Sequence, residues 1–330
     1  MKYLYPLPSI LKVKPLSPSL PRVILDDKLS DNLHELLEGK IERLPWATID
    51  GPADDSVEGI LTFGHHAVTA TQMANFPQLK VISNYGVGVD HIEIAAATEL
   101  GIPVGNTPDV LTSTTADMAL TLMLAAARRV REGDQYARCS EFKVFDPAYM
   151  LGTEVHHQTV GIIGLGRIGY QIARRCAAFD MEILYHKRTQ LADNPDQLNL
   201  TYTSLEELLN RSDFVIIICP LTDETTGLIG AEQLAAMKSS AVLVNIARGP
   251  VVCTEALTVA LREKQIYAAG LDVTDPEPLP RDHELLTLDN VTITPHLGSA
   301  TMQTRRKMAE LTVVNLMLGL AREPLAHSVS

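Results

Sequence analysis

Residues 160–169 read VGIIGLGRIG, and this stretch constrains the chain more than any other. A short apolar run is followed by Gly164, Gly166 and Gly169 in GxGxxG spacing, and a helical pattern continues through Ile172, Ala173 and Cys176. A buried strand that turns directly into a helix leaves backbone N–H groups unpaired at the positive end of the helix dipole, which makes an anion site. Gly164 is read as permitting the tight turn, Gly166 as letting a pyrophosphate reach the backbone, and Gly169 as letting the helix lie close to the strand. Three glycines alone specify little. Here a strand precedes them, a helix follows, and a second strand is expected over residues 181–185, which is the context the motif requires. A dinucleotide is the predicted ligand. A kinase-type glycine loop is not expected, because no matching Lys strand or His-Arg-Asp loop follows.

From residue 160 onward the alternation is regular, with strands predicted near 160–163, 181–185, 213–218, 241–246, 267–272 and 291–294. Six strands with crossovers suit a doubly wound sheet of order 3-2-1-4-5-6. Ser204 followed by Glu207 is expected to form a capping box. The first hundred residues alternate too: strands at 22–25, 59–63 and 80–84, and helices at 29–37, capped by Ser30 or Asp31, at 69–75 and at 92–100. The loop NYGVGVD over 84–90 places two glycines after a buried strand, as an anion-facing loop or as a tight structural turn. A long helix over 115–131, with an apolar face at Met118, Leu122 and Ala126, is read as the bridge into the second domain. Residues 132–158 read as irregular and hold Phe142, Phe145, Tyr149 and Met150, which wrap their own domain or pack on another subunit. A last helix over 301–318, ended by Gly319, is expected to return to the first domain.

The 330 residues, 46% hydrophobic and 21% charged, allow two domains with sizeable cores and exclude a disordered or fibrous chain. A net charge of −12 disfavours attraction to nucleic acid or anionic membrane and suits a small polar substrate. Cys139, Cys176, Cys219 and Cys253 show no CxxC or metal-ligand spacing, so they read as reduced core thiols of a cytoplasmic protein. The N-terminus has Lys2 but no sustained apolar run, because Pro6, Pro8, Pro15, Pro18 and Pro21 interrupt it; no signal peptide is expected. The longest apolar patterns, 118–127 and 214–221, are too short to span a bilayer. His156 and His157 lack further ligands, so no metal site is expected.

NAD-binding sheets of this kind usually carry an acid near the end of the second strand, where it accepts from the adenosine ribose. This chain has Tyr185, His186, Lys187, Arg188 and Thr189 there. Lys187 and Arg188 would pair with a 2′-phosphate that a carboxylate would repel, so NADP(H) is predicted over NAD(H), with NAD(H) as the second possibility. Four further polar groups sit at the ends of apolar strands: Arg248 in NIARGPVV, Asp272 and Glu277 in GLDVTDPEPLP, and His296 in TITPHLGSA. Singly each has a dull explanation. Together they supply a cation for a carboxylate and a histidine with an acidic partner, beyond the carboxyl ends of strands where ligands bind in doubly wound folds.

With these motifs the chain resembles the D-isomer-specific 2-hydroxyacid dehydrogenase family over roughly residues 22–324. VGIIGLGRIG, the CPLT run at 219–222, NIARGPVV, GLDVTDPEP and TPHLGSAT occur in family order and at family-like intervals. The most similar branch is the glyoxylate/hydroxypyruvate reductases and their 2-ketogluconate-reducing relatives. The resemblance implies an α/β fold of two domains, a Rossmann doubly wound parallel sheet inserted into a smaller flavodoxin-like α/β substrate domain. Residues 1–107 and 297–330 would form the substrate domain and residues 108–296 the dinucleotide-binding domain. It also implies a homodimer, with residues 132–158 helping to form its interface.

Carried over by matching motif, Arg248 would hold the substrate's carboxylate and carbonyl oxygen, and backbone N–H groups of Val87 and Gly88 would bind the carboxylate. His296 would be the general acid in reduction, and Glu277 would hydrogen-bond it. Asp272 would support the cofactor side. Thr115, Pro220, Thr225, Ile246 and Ala247 match positions that line the cofactor, as do Arg167, Ile168, Cys219 and Gly298 within the motifs quoted. The implied reaction is hydride transfer between NAD(P)H and a small 2-keto acid, giving a D-2-hydroxy acid. Two alternatives stay open: a short phosphoglycerate dehydrogenase, and a nucleotide-sensing interaction module similar to corepressors of the C-terminal-binding-protein type. His65 and His66 follow a strand end on the expected substrate side, as a solvated loop or as contacts to a polar substrate tail.

Overall fold

In a computed structural model, residues 19–329 are described, and the chain divides into two compact units: Met1–Val110 with Thr301–Ser330, and Leu111–Ala300. Lys2, Pro6, Pro8, Pro15 and Pro18, on which the reading of the leader rests, lie outside the described residues. The first unit runs β1 (Arg22–Leu25), α1 (Asp31–Leu37), β2 (Glu42–Pro45), β3 (Val57–Thr62), α2 (Ala70–Ala74), β4 (Val81–Asn84), α3 (Ile94–Glu99) and β5 (Val104–Gly105). Its five strands are all parallel in the order β2-β1-β3-β4-β5, the flavodoxin-like winding.

The second unit runs α4 (Thr112–Ala127), α5 (Val130–Arg138), β6 (Thr159–Ile163), α6 (Arg167–Ala177), β7 (Glu182–His186), β8 (Leu200–Tyr202), α7 (Leu205–Arg211) and β9 (Phe214–Ile217). It continues with α8 (Ala231–Ala235), β10 (Val242–Asn245), α9 (Thr254–Arg262), β11 (Ala268–Leu271) and β12 (Val291–Ile293), and the chain then returns to the first unit as α10 (Met302–Leu320). The seven strands are parallel in the order β12-β11-β10-β9-β6-β7-β8, so the winding reverses between β6 and β9. The continuous apolar runs in β9 and β10 are buried at every residue, as strands covered on both faces must be. One face packs Phe214, Val242 and Val244 against Leu122 and Met123 of α4, where Gly270 lets the helix backbone approach β11.

Several expectations are corrected. The sheet has seven strands, not six, because Leu200–Tyr202 takes the third place in the winding and moves the strand at 214–217 to the fourth. β8 has three residues, two of them exposed, so it leaves no apolar run to read. β2 and β5 went unread for the same reason: ERLP is a polar edge strand, and β5 is two residues long. The bridge helix does not continue to residue 131. Arg129 adopts left-handed φ 53, closing α4 and starting α5, so the segment from 132 begins as helix. Arg131 on α5 donates to the carbonyls of Leu288 and Val291, and Arg129 pairs with Glu132.

Gly319 does not end the last helix. It lies inside α10, where a Cβ would collide with Val81 of β4, so its role is to let the helix lie on the sheet. At Ser204 only half of the capping box forms: Ser204 Oγ accepts from Glu207 N, but the Glu207 carboxylate turns to Thr203 Oγ1 and Arg211. Ser30 caps α1 as expected, and Thr69 with Gln72 completes a reciprocal capping box on α2. Among the described residues no helix is long and apolar enough to cross a membrane.

All four cysteines are free thiols. Burial pushes the Cys176 thiol up to about 12 and the Cys219 thiol up to about 11, while Cys139 and Cys253 are only half-buried. Thiolate is the reacting form, so at pH 8 Cys176 and Cys219 should react with an aromatic disulfide reagent at least ~100-fold more slowly than an ordinary thiol. Native protein should therefore release about two equivalents of chromophore quickly and four only after denaturation; four fast equivalents would contradict this packing.

Candidate active site

In the second unit, β6 ends at Ile163 and the chain turns at Gly164 with φ +99, a region L side chains rarely adopt. A Cβ there would stand 2.6 Å from Cys219 N, so the turn also lies tightly against the end of β9, at the point where the sheet winding reverses. Gly166 is the N-cap of α6, exposed, with nothing within 4 Å of its absent side chain. At Gly169 a Cβ would collide with the Gly164 carbonyl oxygen. Tight turn, open approach and close helix contact are therefore met by separate glycines. The exposed Arg167 and half-buried Ile168 open α6, whose first N–H groups face the open side of Gly166. These features fit a pyrophosphate.

β7 ends at His186, whose Nδ1 lies 3.0 Å from the Thr203 carbonyl oxygen. A carbonyl only accepts, so Nδ1 carries the proton and the ring is fixed in orientation. Lys187 is half-buried, with its carbonyl taking the Tyr202 hydroxyl, and Arg188 is exposed. Across from this basic turn, the Thr222 hydroxyl holds the Glu224 carboxylate below its ordinary range, helped by its own N–H and by the nearby Arg188 charge. Thr225 Oγ1 donates to the Pro220 carbonyl and accepts from Thr222 N, which closes the loop after Cys219.

Ile246 and Ala247, 5% and 6% exposed, follow β10. Asn245 accepts from Ala247 N and donates to the Arg248 carbonyl, while Arg248 Nη1 donates back to Ala247 O at 2.8 Å. A Cβ on Gly249 would collide with the Thr274 carbonyl, so the Arg248 turn rests directly on the strand-end loop that carries Glu277. Glu277 Oε1 lies 2.8 Å from Nδ1 of His296, with the two side chains about one-third exposed. The hydrogen bond fixes the tautomer: Nδ1–H faces the carboxylate.

Asp272 is 2% exposed. Its Oδ1 accepts from Thr294 Oγ1 at 2.6 Å and Leu297 N at 2.7 Å, and its Oδ2 accepts from Gly298 N at 2.7 Å. His296 N in turn donates to the Asp272 carbonyl at 2.9 Å. Gly298 packs against Asp272 and Thr115, so these three predicted residues lie together. Among the described residues no group of three or more His, Cys, Asp or Glu side chains is placed to hold a metal ion.

Val87 and Gly88 belong to the first unit. Asn84 Nδ2 donates to the carbonyls of Gly86 and Gly88, and Asn106 Nδ2 donates to that of Val87. In a trans peptide the N–H points opposite to the preceding C=O. Tying down the carbonyls of Gly86 and Val87 therefore turns the N–H groups of Val87 and Gly88 away from the asparagines. Asn84 and Asn106 were missed as site residues by sequence reasoning. The available signal was an amide with two donors at a strand end, directly before a GxG turn. His65 and His66 are exposed, and His66 also pairs with Asp26 and lies against Trp46.

The chain matches the family model described as D-isomer specific 2-hydroxyacid dehydrogenase, NAD binding domain, over residues 120–298. It is 43% identical over 308 residues to a glyoxylate reductase of Thermococcus onnurineus, covering 90% of this chain and 92% of that one. It is 44% identical over 314 residues to glyoxylate/hydroxypyruvate reductase B of Pectobacterium carotovorum, covering 94% and 98%. Among solved structures, it superposes with TM-score 0.86 at 33% identity on an NADPH-dependent glyoxylate/hydroxypyruvate reductase of Sinorhizobium meliloti in complex with NADP and malonate, covering 94% and 97%. The glycine cradle, the paired histidine and the arginine turn thus sit in a chain that belongs to the D-isomer-specific 2-hydroxyacid dehydrogenase family.

Proposed function

We propose that this protein is an NADP(H)-preferring reductase of small 2-keto acids, glyoxylate and hydroxypyruvate among them, that forms D-2-hydroxy acids and also accepts NAD(H). The observation that carries the reading is the His296–Glu277 pair at 2.8 Å on a loop packed against the Arg248 turn. Gly164, Gly166 and Gly169 would hold the pyrophosphate of the reduced cofactor, which when bound would supply the hydride that reduces C2 of the keto acid. Val87 and Gly88 N–H groups hold the carboxylate, because the carbonyls that precede them, those of Gly86 and Val87, are tied down by asparagine. Arg248 pairs with carboxylate and carbonyl oxygens of the substrate, stabilising the negative charge that develops on the carbonyl oxygen. Nε2 of protonated His296 donates its proton to that oxygen, and Glu277 keeps the ring oriented throughout. In the oxidative direction Nε2 accepts the proton.

Asp272 acts by position. With both carboxylate oxygens committed within the chain, it holds the turn of His296 and the backbone of Gly298 against Thr115. Arg167 and Ile168 with the three glycines hold the pyrophosphate. Cys219, Pro220, Thr225, Ile246 and Ala247 line the dinucleotide beyond the sheet edge. His186, Lys187 and Arg188 hold the adenosine end, where the cations pair with a 2′-phosphate. We further propose a homodimer in the cytoplasm. Its support is the exposed apolar run Phe142, Val144, Phe145, Tyr149 and Leu151, of which Phe145 is 78% exposed, beside a ring cluster around Tyr136.

His296→Ala should lower kcat for glyoxylate by about 10²- to 10⁴-fold, the usual worth of a general acid, while leaving NADPH affinity unchanged. Steady-state rates with a fluorescence measurement of NADPH binding check both halves, and unchanged kcat removes His296 from the chemistry. Replacing Lys187 and Arg188 together by alanine should raise the KM for NADPH about a hundredfold or more and leave that for NADH within twofold, since each charge-assisted pair contributes roughly 1.5–3 kcal/mol. Equal effects on the two cofactors would show that the basic turn does not read the phosphate. Light scattering should give twice the chain mass, and Phe145→Asp should shift it toward the monomer; a wild-type monomer at micromolar concentration rejects the dimer.

A further inference from the structure

The basic turn after β7 is gripped from both neighbouring strands, and the grip from β8 has a consequence for the ligand. On the β6 side, the His186 carbonyl accepts Gly164 N of the glycine cradle at 2.9 Å. On the β8 side, Thr203 N donates to the Tyr185 carbonyl at 3.0 Å, and the Thr203 carbonyl takes His186 Nδ1 at 3.0 Å. One residue further along the turn, the Tyr202 hydroxyl donates to the Lys187 carbonyl at 3.2 Å. Tyr185 closes the far end, its hydroxyl accepting Leu191 N at 3.1 Å.

Tyr202 ends the edge strand of the seven-stranded sheet and is 40% exposed. Its ring lies 5.4 Å from that of its register partner Tyr185, a contact that phenylalanine would make equally well. The hydroxyl adds only the bond to the Lys187 carbonyl, on a half-buried residue where water could serve as donor instead. Its effect is therefore one of direction. In a trans peptide the N–H points opposite to the preceding C=O, so fixing the Lys187 carbonyl on Tyr202 turns the Arg188 N–H away from Tyr202. Among the described residues no backbone carbonyl outside the helices and strands accepts that N–H. The turn thus carries a directed backbone donor in addition to two cations. A phosphate ester presents three strong acceptor oxygens and takes several donors at once.

We propose that Tyr202 is a positioning residue for cofactor choice: by holding the Lys187 carbonyl it presents the Arg188 N–H to the 2′-phosphate of NADP(H). The proposal rests on the reading above, in which the basic turn pairs with that phosphate. The Lys187 and Arg188 side chains are long and rotatable, so their charges attract a phosphate over a range of positions. A backbone donor has one direction and selects among them. NAD(H) carries an uncharged hydroxyl at the same place, with fewer acceptor sites, so the Tyr202 contact separates the two cofactors through the phosphate alone.

The test needs no turnover. Titration calorimetry on the full-length protein compares adenosine 2′,5′-bisphosphate with 5′-AMP, in wild type and in Tyr202→Phe, which keeps the ring on Tyr185. Wild type should bind the bisphosphate at least ~10-fold more tightly than AMP. Tyr202→Phe should weaken the bisphosphate about fivefold, the worth of one hydrogen bond, and AMP less than twofold. In steady-state rates the same variant should raise the KM for NADPH about fivefold with kcat unchanged, and leave the KM for NADH within twofold. Equal weakening of both adenosine ligands would mean that Tyr202 only braces the sheet edge, and it overturns the proposal. A wild-type preference for the bisphosphate that Tyr202→Phe leaves intact overturns the role of Tyr202 alone. A wild-type protein that binds the two ligands equally removes the phosphate reading of the basic turn, and the role of Tyr202 with it.

Discussion

The carboxylate of Asp272 is the interaction on which the site most depends. It is buried without a cation beside it among the described ion pairs, and a buried charge in that position must be satisfied by hydrogen bonds. Thr294, Leu297 and Gly298 provide three, between 2.6 and 2.7 Å. Between them sits His296 at φ 54, a left-handed conformation that costs a non-glycine residue roughly 1–2 kcal/mol. Bonds to a charged acceptor contribute about 1.5–3 kcal/mol each, so the anchor outweighs the strain it imposes. The histidine is thereby held at the end of β12 by a group that takes no part in its chemistry.

The same device recurs at three other strand ends. Asp26 after β1 holds the N–H groups of Phe63 and Gly64; Asn84 at the end of β4 holds the carbonyls of Gly86 and Gly88; Asn245 at the end of β10 holds Ala247 N and Arg248 O. All four side chains are between 1% and 6% exposed. A parallel sheet ends each strand with backbone groups that the ladder no longer pairs, and a loop leaving it must satisfy them or face water. A short buried amide or carboxylate does this while choosing which face of the following turn stays available. At Asn84 the available groups are N–H donors suited to an anion. At Asn245 the turn so fixed carries the Arg248 guanidinium.

This division explains what could be read in the sequence. The glycine spacing in VGIIGLGRIG specified its own geometry, because a side chain would collide at Gly164 and at Gly169, while Gly166 leaves the start of the helix open. The paired parallel sheets followed from uninterrupted apolar runs such as FVII and VLVN. What escaped lacked a local signal. The strand LTY has no apolar run, the break at Arg129 has neither Gly nor Pro, and Gly319 looks like a helix stop until Val81 is seen against it. Asn106 and Asp26 escaped for a different reason: their partners lie in other loops, Val87 standing 19 positions from Asn106 and Phe63 37 positions from Asp26. Such anchors are visible only once the strands are laid side by side.

The two histidine–carboxylate pairs differ in a way that separates their work. Glu277 is about one-third exposed and lies on a loop between prolines, so its carboxylate can follow the His296 ring as charge builds on it and drains away. Asp26 is buried and gripped by two backbone N–H groups, so it cannot follow anything. A proton-transfer group needs a partner that accommodates both of its charge states. Rigid Asp26 beneath His66 fails that demand, so proton transfer is assigned to the pair beyond β12.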